Sequence, residues 1–531
     1  MSSQSFKVLI TTSGIGSRLG EITKYMNKAL VRIGTKPVIS YIIDQYPETT
    51  RFTVTLGYFG KQVRDYLELA YPEKDFEFVY VDKYEGEGSS LLYSLSCAKD
   101  KLQEPFIYHA CDTITTDTVL APEHNWIAGY KGGGSSAYAS FSTLGTRVAE
   151  MHFKGYINSD FLHIGLVGIH NYVAFWEKAD EVLRNRSSDS SIGDVDVLKE
   201  LVHTHGFNVL ELNSWYDMGN VDSLEVARKA MSDNDFHVLD KLAESIYKVN
   251  GSVIKFFNDS QVLANRVKRV GYLNNTVPEL SGVRENFYKY DYVKGDLFAR
   301  VANRSNFLGL VKWAETELWK PNPTIDIAKF KSDCFDFYVT KTNKRIEEFF
   351  KKKSVKDKQD IINGEIIPKV SDLLASIDVD TLCSDEPTGF HGDFILDNII
   401  MTGQDAFKLI DWRQDFAGNL DAGDKYYDLA KLSHNLVVNH ELIDNNHFQI
   451  EIDEDGSIRL NIHRLQTLVE CEQLYFEHLK KQNINIKKVL LLRSIIWLNM
   501  SPLHHHPFDL FLYYFGKYQL AKAINSINDE L

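Results

Sequence analysis

Short apolar runs alternate with helical patterns through about the first 230 residues, and this alternation limits the fold more than any other feature of the chain. Strands that alternate with helices form βαβ units, in which helices cover both faces of a mainly parallel sheet. The helical patterns lie at 60–70 and 90–102, among others. The N-terminal part is therefore predicted to be an α/β, Rossmann-like domain. Its predicted strands are 6–11, 52–57, 77–81, 106–109 and 136–142.

The length and charge of the chain restrict the class of protein. A chain of 531 residues is predicted to form more than one domain, because single domains usually have roughly 100–200 residues. The formal net charge of −14 argues against a nucleic-acid partner, which requires a basic surface. No apolar run approaches the ~20 residues of a membrane span, so no membrane partner is expected. The five scattered cysteines and the absence of a signal-peptide pattern favour a cytoplasmic location.

The pattern changes after the polar stretch 231–237, which is predicted to link two domains. Two β runs, at 245–249 and 252–257, flank Asn250-Gly251, and this dipeptide is typical of a tight hairpin. Because a β-rich start leads into a mostly helical region, the second half is predicted to be a two-lobed α+β domain. The predicted domains are 1–232 and 238–531, the latter with a small lobe at about 238–295 and a large lobe at about 296–531.

A glycine-rich turn directly follows the first predicted strand. Glycines let a backbone approach phosphate groups closely and leave its amide groups free to donate hydrogen bonds. Arg18 adds a cation beside the turn. The turn is therefore predicted to bind the phosphates of a nucleoside triphosphate (NTP), through Ser13, Gly14, Gly16 and Ser17.

The order of the N-terminal motifs resembles that of the sugar nucleotidyltransferases, or NTP transferase family. That family opens with A-A-G-x-G-S/T-R-L followed by P-K-A-L, and here the segments are TSGIGSRL at 12–19 and NKAL at 27–30. The resemblance spans about 1–230 and places Gly88 and Ser89 beside the nucleotide base. The further matching segments are Gly57-Tyr58, Gly88-Ser89-Ser90, Asp112 and Trp215–Asn220.

The resemblance implies a reaction in which a phosphorylated substrate attacks the α-phosphorus of an NTP and pyrophosphate leaves. Arg18 and Lys28 would have catalytic roles, because they would neutralise charge that develops on the triphosphate. Asp112 and Asp217 would bind Mg²⁺, a hard cation that prefers oxygen ligands.

One departure from the family leaves the substrate open. Many of its sugar enzymes carry V-E-K-P, whose Glu and Lys grip the sugar phosphate, and this segment is missing here. Lys154 is the candidate for the same contact with the substrate. A small phosphorylated alcohol or amine, as in the family's phosphocholine cytidylyltransferases, stays an alternative.

The most specific motif lies in the second half, as His391-Gly392-Asp393 with Asn398 five residues after the aspartate. Ile410-Asp411-Trp412 follows after a short predicted hairpin, 398–402 and 407–411. Phosphoryl transfer from ATP needs a carboxylate at the acceptor hydroxyl, an amide oxygen on a metal ion, and a second carboxylate between metal and phosphates. Asp393 is predicted to be the catalytic carboxylate, and Asn398 and Asp411 the metal ligands.

These residues resemble the motif of the aminoglycoside phosphotransferase and choline kinase family, which has a protein-kinase-like fold. The resemblance covers roughly 238–531 and includes Gly423-Asp424 with Asp428-Leu429-Ala430. It implies that Lys255, in a small-lobe strand, contacts the ATP phosphates. A glutamate partner for this lysine is not found on the following helix, 259–274.

Together the two halves suggest a bifunctional enzyme that uses ATP, a second NTP and Mg²⁺. The second domain would phosphorylate a small hydroxylated metabolite, the leading hypothesis being a sugar. The first domain would convert the product to a nucleotide-activated sugar for capsule, other surface polysaccharide or cell-wall synthesis. The alternatives are a choline, ethanolamine or polyol kinase fused to a CTP-dependent cytidylyltransferase, and a chain in which one domain only binds or regulates. A homo-oligomer is compatible with the sequence.

Overall fold

The computed structural model describes residues 6–131, 136–231, 242–384 and 386–526. The chain divides into two compact units, the first comprising 1–260 and 281–292 and the second 261–280 and 293–531. The predicted linker, 231–237, lies outside the described residues except for Met231, and so do the predicted domain boundaries near 232 and 238.

In its described residues, the first unit contains a nine-stranded sheet, a four-stranded sheet, two two-stranded sheets and six α-helices. Its strands are β1 (Lys7–Thr11), β2 (Arg32–Ile33), β3 (Lys36–Pro37), β4 (Arg51–Leu56), β5 (Asp75–Tyr80), β6 (Phe106–Ala110), β7 (Thr113–Ile114), β8 (Trp126–Tyr130), β9 (Ser140–Leu144), β10 (Arg147–His152), β11 (Phe161–Ile169), β12 (Asn208–Leu212), β13 (Tyr216–Asp217), β14 (Glu244–Val249), β15 (Ser252–Phe257), β16 (Leu280–Val283) and β17 (Phe287–Asp291). Its helices are α1 (Val38–Asp44), α2 (Gly60–Ala70), α3 (Leu91–Cys97), α4 (Tyr172–Asn185), α5 (Asp194–Thr204) and α6 (Val221–Ala230).

The large sheet has nine strands in the order β5-β4-β1-β6-β11-β8-β12-β10-β9. The pairs β5–β4, β4–β1, β1–β6 and β8–β12 are parallel, and the other four neighbouring pairs are antiparallel. The α/β class is confirmed, but the prediction of a mainly parallel sheet is wrong, because the sheet is mixed. The antiparallel half arises from β11, which inserts between β6 and β8, and from the β9–β10 hairpin.

Strand β1 shows why this sheet is covered on both faces. Val8 and Ile10 belong to one hydrophobic cluster, and Leu9 between them belongs to the other. Successive side chains of a strand point to opposite faces of the sheet, so a strand buried on both faces must be apolar throughout. The run KVLIT meets this requirement, and the glycine-rich turn begins at the end of this interior strand, which lies between β4 and β6.

The second, four-stranded sheet of this unit, in the order β14-β15-β17-β16, packs on helix α2. The predicted hairpin is confirmed, since Asn250 and Gly251 both have positive φ, 50° and 72°, as a tight type I′ turn requires. The fully buried Tyr247 lies against Tyr66 of α2 with ring centroids 5.3 Å apart, and its hydroxyl donates to the carbonyl of Leu30 at 2.7 Å. The strands predicted to be a separate small lobe therefore share a core with the nucleotidyltransferase-like part.

The second unit is mostly helical. Its helices are α7 (Ser260–Leu273), α8 (Phe298–Val301), α9 (Arg304–Glu317), α10 (Ile327–Phe335), α11 (Lys341–Lys353), α12 (Val370–Ala375), α13 (Val379–Leu382), α14 (Lys425–Val437), α15 (His440–Asp444), α16 (Gln466–Lys481), α17 (Ile486–Met500) and α18 (Phe508–Asn525). Its strands are β18 (Asp296–Leu297), β19 (Asp360–Ile362), β20 (Glu365–Ile367), β21 (Ile399–Gly403), β22 (Ala406–Leu409), β23 (Phe448–Ile452) and β24 (Ile458–Ile462).

Helix α17 forms the centre of this helical unit and is buried on nearly all sides. Two buried cations on it are paired: Lys488 with Asp424 at 3.0 Å, and Arg493 with Glu472 at 2.7 Å. A helix that is apolar all round is either a core helix or a membrane span. The burial of residues 488–498 makes α17 a core helix. Across the described ranges, no helix is long and apolar enough to cross a bilayer.

We expect Tyr247→Ala to lower the free energy of unfolding of the first unit by about 3–5 kcal/mol, because it empties a fully buried aromatic site. Tyr247→Phe should cost only about 1 kcal/mol, because it removes the hydrogen bond to Leu30 and keeps the ring. Urea unfolding of the full chain measures both. Tyr80→Ala, at an exposed ring of the same unit, is the control. A Tyr247→Ala cost no larger than that of the control would contradict the shared core.

Candidate active sites

The glycine-rich turn of the first unit leads from β1 into a 3₁₀ helix, Ser17–Thr23. Gly16 has φ 71°, and a side chain there would also press on Lys28 and Thr23, with a Cβ 3.1 Å from Cβ of Lys28. Glycine is therefore required by both the backbone conformation and the close approach. Gly14, Ser17 and Arg18 are exposed, whereas Ser13 is buried and donates to Ser94 at 2.9 Å.

Asn27, which stands where the nucleotidyltransferase family has proline, holds this turn in place through hydrogen bonds of its side chain. Its side-chain amide donates to the carbonyl of Thr12 at 2.8 Å and to that of Tyr58 at 2.5 Å, and its side-chain oxygen accepts from the amide of Ala29. It is fully buried. The substitution therefore replaces the rigidity of proline by three hydrogen bonds, and it holds the next residue, Lys28, in the site.

Lys28 and Asp112 form the central ion pair of the first unit, with Nζ 3.0 Å from Oδ2. Burial alone would raise the pKa of Asp112, but the attraction of Lys28, with a smaller contribution from Arg18, reverses the shift and lowers it. Burial likewise opposes the charge of Lys28, and Asp112 outweighs it, so that the pKa of Lys28 is raised. Both groups are therefore ionised at neutral pH.

Asp217 lies next to Asp112 because β13 and β7 pair, and the amide of Met218 donates to the carbonyl of Asp112 at 2.8 Å. Its carboxylate accepts hydrogen bonds from the hydroxyl of Tyr138 at 2.8 Å and from the side chain of Asn220 at 3.1 Å. A Cβ on Gly219 would lie 3.0 Å from the guanidinium of Arg18 and 3.0 Å from Oδ1 of Asp217. Glycine at this position thus lets Arg18 approach Asp217.

The two carboxylates are a suitable donor set for Mg²⁺, which prefers oxygen ligands and keeps positions for phosphates and water. Among the residues that the structure describes, no group of three or more His, Cys, Asp or Glu side chains forms a ready ligand set. Asp112 and Asp217 would hold such an ion, which would supply positive charge beside a triphosphate. Four of the predicted residues, Arg18, Lys28, Asp112 and Asp217, come together as expected.

Three further predicted residues of the first unit lie in loops. Gly88 has a positive φ of 79°. The hydroxyl of Ser89 donates to the carbonyl of Gly86 at 2.6 Å, and the next residue, Ser90, is the N-cap of α3. Lys154 is exposed in the turn after β10, and the described contacts do not join it to Asp112 or Asp217. Their roles at the base and the substrate stay predictions. Tyr138 was not foreseen, because an isolated tyrosine carries no sequence signal for its contact with Asp217.

In the second unit the motif residues Asp393, Asn398 and Asp411 also converge. The amide of Asn398 donates to the Asp393 carboxylate at 3.1 Å and to its backbone carbonyl at 2.9 Å. The backbone carbonyl of Asn398 accepts from the amide of Ile410 at 2.9 Å, which brings Asp411 beside it. The amide oxygen of Asn398 and the carboxylate of Asp411 are hard oxygen ligands, and this pair fits Mg²⁺.

Two buried residues hold the loop that carries Asp393. The carboxylate of Asp428 accepts from the amides of His391 and Gly392 at 2.6 and 2.7 Å, and from the indole of Trp319 at 3.1 Å. Burial raises the pKa of Asp428 to about 6. Arg269 of α7 donates to the carbonyls of Phe390 and His391 and lies over the Phe390 ring at 3.9 Å. The D-L-A segment signals Asp428, but nothing local in the sequence signals Arg269.

Asp411 is paired with a cation that the sequence analysis did not foresee. Arg266 of α7 donates to its carboxylate at 2.6 Å, and Asp411 itself has a positive φ of 58°. Helix α7, which contains no glutamate that could pair with Lys255, thus supplies an arginine to the predicted metal ligand. Lys255 lies on β15, a strand of the first unit, and is buried. Its contact with ATP stays a prediction.

No family model matches this chain. A choline-phosphate cytidylyltransferase of Streptococcus pneumoniae is 32% identical over 106 residues, which are 20% of this chain and 44% of that protein. A probable glucose-1-phosphate cytidylyltransferase of Bacillus subtilis is 37% identical over 62 residues, 11% of this chain and 24% of that protein. The chain thus spans less than half the length of these relatives.

Among solved structures, the CTP:phosphocholine cytidylyltransferase of Streptococcus pneumoniae aligns with a TM-score of 0.37 and 19% identity, over 43% of this chain and all of that one. The sequence matches to the two cytidylyltransferases confirm that the N-terminal part of the chain resembles nucleotidyltransferases. The kinase-like interpretation of the second unit is not addressed by these relatives and stays a prediction.

His109 of β6 holds the turn that carries Asp112, and it generates a prediction about pH. The hydroxyl of Tyr46 lies 2.8 Å from its Nδ1, and Nε2 lies 3.0 Å from the carbonyl of Thr113. Complete burial lowers the pKa of His109 to about 4, so the folded chain keeps it neutral at neutral pH.

Because the unfolded chain takes up this proton near pH 6.5 and the folded chain does not, stability falls as the pH drops from about 6.5 towards 4. A His109→Gln variant should be less stable than the wild type at pH 7, and this difference should shrink by about 2 kcal/mol at pH 5. Urea unfolding at both pH values measures it. The exposed His124, changed to Gln, is the control. A difference that stays constant would show that folded His109 binds the proton.

Proposed function

We propose that the chain is a bifunctional enzyme, with a nucleotidyltransferase site in the first unit and an ATP-dependent kinase site in the second. The observation that carries the proposal is that each unit assembles its own set of charged residues around a lysine–aspartate pair. These pairs are Lys28–Asp112 at 3.0 Å and Lys431–Asp393 at 2.8 Å. The similarity to cytidylyltransferases supports the first activity and makes CTP the first nucleotide to test.

In the nucleotidyltransferase reaction, a phosphate oxygen of the phosphorylated substrate bonds to the α-phosphorus of the NTP. The bond from the α-phosphorus to the bridging oxygen breaks, and pyrophosphate leaves with the electron pair. A magnesium ion at Asp112 and Asp217 would neutralise phosphate charge. Lys28 and Arg18 place fixed positive charge where negative charge develops, and they need no reorganisation during the reaction.

In the kinase reaction, the acceptor hydroxyl oxygen bonds to the γ-phosphorus of ATP, and the bond to the β–γ bridging oxygen breaks to release ADP. Asp393 orients the hydroxyl and accepts its proton, which passes on to solvent. Burial would raise the pKa of Asp393, but Lys431 outweighs it and the pKa is lowered, so the carboxylate is ionised at neutral pH. Asn398 and Asp411 would hold a magnesium ion, which would neutralise charge on the ATP phosphates.

The two reactions are consecutive in this proposal. The kinase makes a phosphorylated metabolite, in the leading hypothesis a sugar, and the nucleotidyltransferase activates it in the cytoplasm for surface polysaccharide or cell-wall synthesis. One chain carrying both sites raises the local concentration of the intermediate. The second candidate, favoured by the 32% identity to a choline-phosphate cytidylyltransferase, is an alcohol kinase joined to a cytidylyltransferase that makes a CDP-alcohol.

Single substitutions should separate the two activities. Asp393→Asn should lower ADP formation by about 10²–10⁴-fold, because the acceptor loses its carboxylate. Pyrophosphate release from CTP and a supplied phosphorylated substrate should be unchanged. Asp217→Asn should have the reverse effect. A panel of sugars, alditols and amino alcohols with Mg²⁺ and ATP, followed by each NTP, provides the measurements and identifies the substrates.

The exposed Asp380, changed to Asn, is the matched control for the second unit. If one substitution abolishes both activities in a folded protein, the proposal of two independent sites is wrong. Turnover of choline without turnover of any sugar would replace the leading substrate by the second candidate.

A further inference from the structure

Two cations of the second unit share one aromatic ring, that of Phe337. The ammonium group of Lys341, the first residue of α11, lies 4.2 Å from the ring centroid, and the guanidinium of Arg413 lies 5.0 Å from it. Phe337 itself is buried and stacks on Phe416 with centroids 4.4 Å apart. The ring therefore fixes the two positive charges in place.

This pair of cations adjoins the loop of Asp393. The amide of Arg413 donates to the carbonyl of His391 at 3.0 Å. The side chain of Arg413 covers Gly392, where an added Cβ would lie 2.6 Å from Cβ of Arg413. Lys431 contacts Asp393 directly, at 2.8 Å. Lys341, Arg413 and Lys431 are called here the cationic cluster, and Lys431 joins it to Asp393, the residue proposed to orient the acceptor hydroxyl.

The cationic cluster has more positive charge than its surroundings neutralise. Within the described part of the chain, neither Lys341 nor Arg413 has a carboxylate at ion-pair distance, whereas the neighbouring Arg345 is paired with Glu348 at 3.2 Å. The carboxylate of Asp415 attracts Lys341 and favours its charged form. Arg413 donates a hydrogen bond to the backbone carbonyl of Asp415. Burial, and then the repulsion of Arg413, Lys431 and Arg345, lowers the pKa of Lys341 to about 7. An anion in this place would relieve that repulsion.

We propose that the cationic cluster binds an anionic group of the phosphoryl acceptor, so that the kinase substrate is a hydroxylated acid that carries a carboxylate or a phosphate. The inference rests on the proposed kinase function and narrows its substrate class. Lys431 joins the cluster to Asp393, the carboxylate proposed to orient the acceptor, whereas Asp411, the proposed metal ligand, is paired with Arg266. We therefore assign the charge of the cluster to the acceptor.

Acceptors that differ mainly in charge test whether the proposed kinase prefers an anionic substrate. With the full chain, Mg²⁺ and ATP, ADP formation is compared for glycerol, glycerate and glycerol 3-phosphate, and for galactose and galacturonate, with choline as the cationic acceptor. We expect kcat/KM to be at least tenfold higher for an anionic acceptor than for the neutral compound with the same carbon skeleton. Comparison of glycerate with glycerol 3-phosphate shows whether the preferred anionic group is a carboxylate or a phosphate. Preference for the neutral member or for choline would overturn it and leave the kinase function intact.

Substitutions in α11 test whether the anionic group of the acceptor binds at Lys341. Lys341→Met should raise KM for the anionic acceptor at least tenfold while KM for ATP stays within twofold, and Lys341→Arg should restore part of the loss. Lys344→Met, three residues along on α11 and exposed, is the matched control and should leave both constants unchanged. Equal effects of Lys341→Met on both KM values would assign the lysine to ATP and contradict the proposal.

A labelling experiment tests the anion site without turnover. At pH 7, acetic anhydride should acetylate Lys341 faster than Lys344, and inorganic phosphate, glycerate or glycerol 3-phosphate should slow the reaction of Lys341 alone, with ADP and Mg²⁺ present. Absence of protection by all three anions overturns the cationic cluster as an anion site. Protection without ADP formation from any acceptor would instead contradict the kinase function.

Discussion

Each proposed site is organised around a lysine and an aspartate that lie within 3.0 Å of each other, Lys28 with Asp112 and Lys431 with Asp393. Burial of a single charge is costly, and each partner makes the burial of the other possible. In both pairs the attraction outweighs desolvation, and the pKa of the aspartate is lowered. The remaining charges of each site are arranged around this pair, so loss of one partner would leave an uncompensated charge beside the reacting phosphates.

The aspartates also depend on buried groups that do not touch a substrate in the proposed reactions. His109 stays neutral and bonds to the carbonyl of Thr113, and this contact supports the turn of Asp112. The carboxylate of Asp428 accepts hydrogen bonds from the amides of His391 and Gly392, and Arg269 donates to the carbonyl of His391. Such supporting groups hold a catalytic carboxylate in position at the end of a strand or in a loop, where the backbone alone would not fix it.

The charges of the second unit also bear on which metabolite the protein uses. A cationic acceptor such as choline would meet Lys341, Arg413 and Lys431, whose repulsion would oppose binding. In the proposed kinase reaction the cationic cluster therefore favours a hydroxylated acid as the acceptor.

The sequence by itself determined the α/β character of the N-terminal part and the Asn250-Gly251 hairpin, and it predicted the candidate site residues that stand in local motifs, such as Arg18, Lys28 and Asp393. Hairpins and motifs can be read because their residues are neighbours along the chain, with fixed spacing and special backbone requirements. Only the tertiary structure decided that β11 inserts antiparallel into the sheet, that Tyr247 packs on α2, and that Arg266 and Lys341 join the second site. Those pairings join residues far apart in the chain, and no local pattern specifies which long-range partner a buried ring or a cation will find.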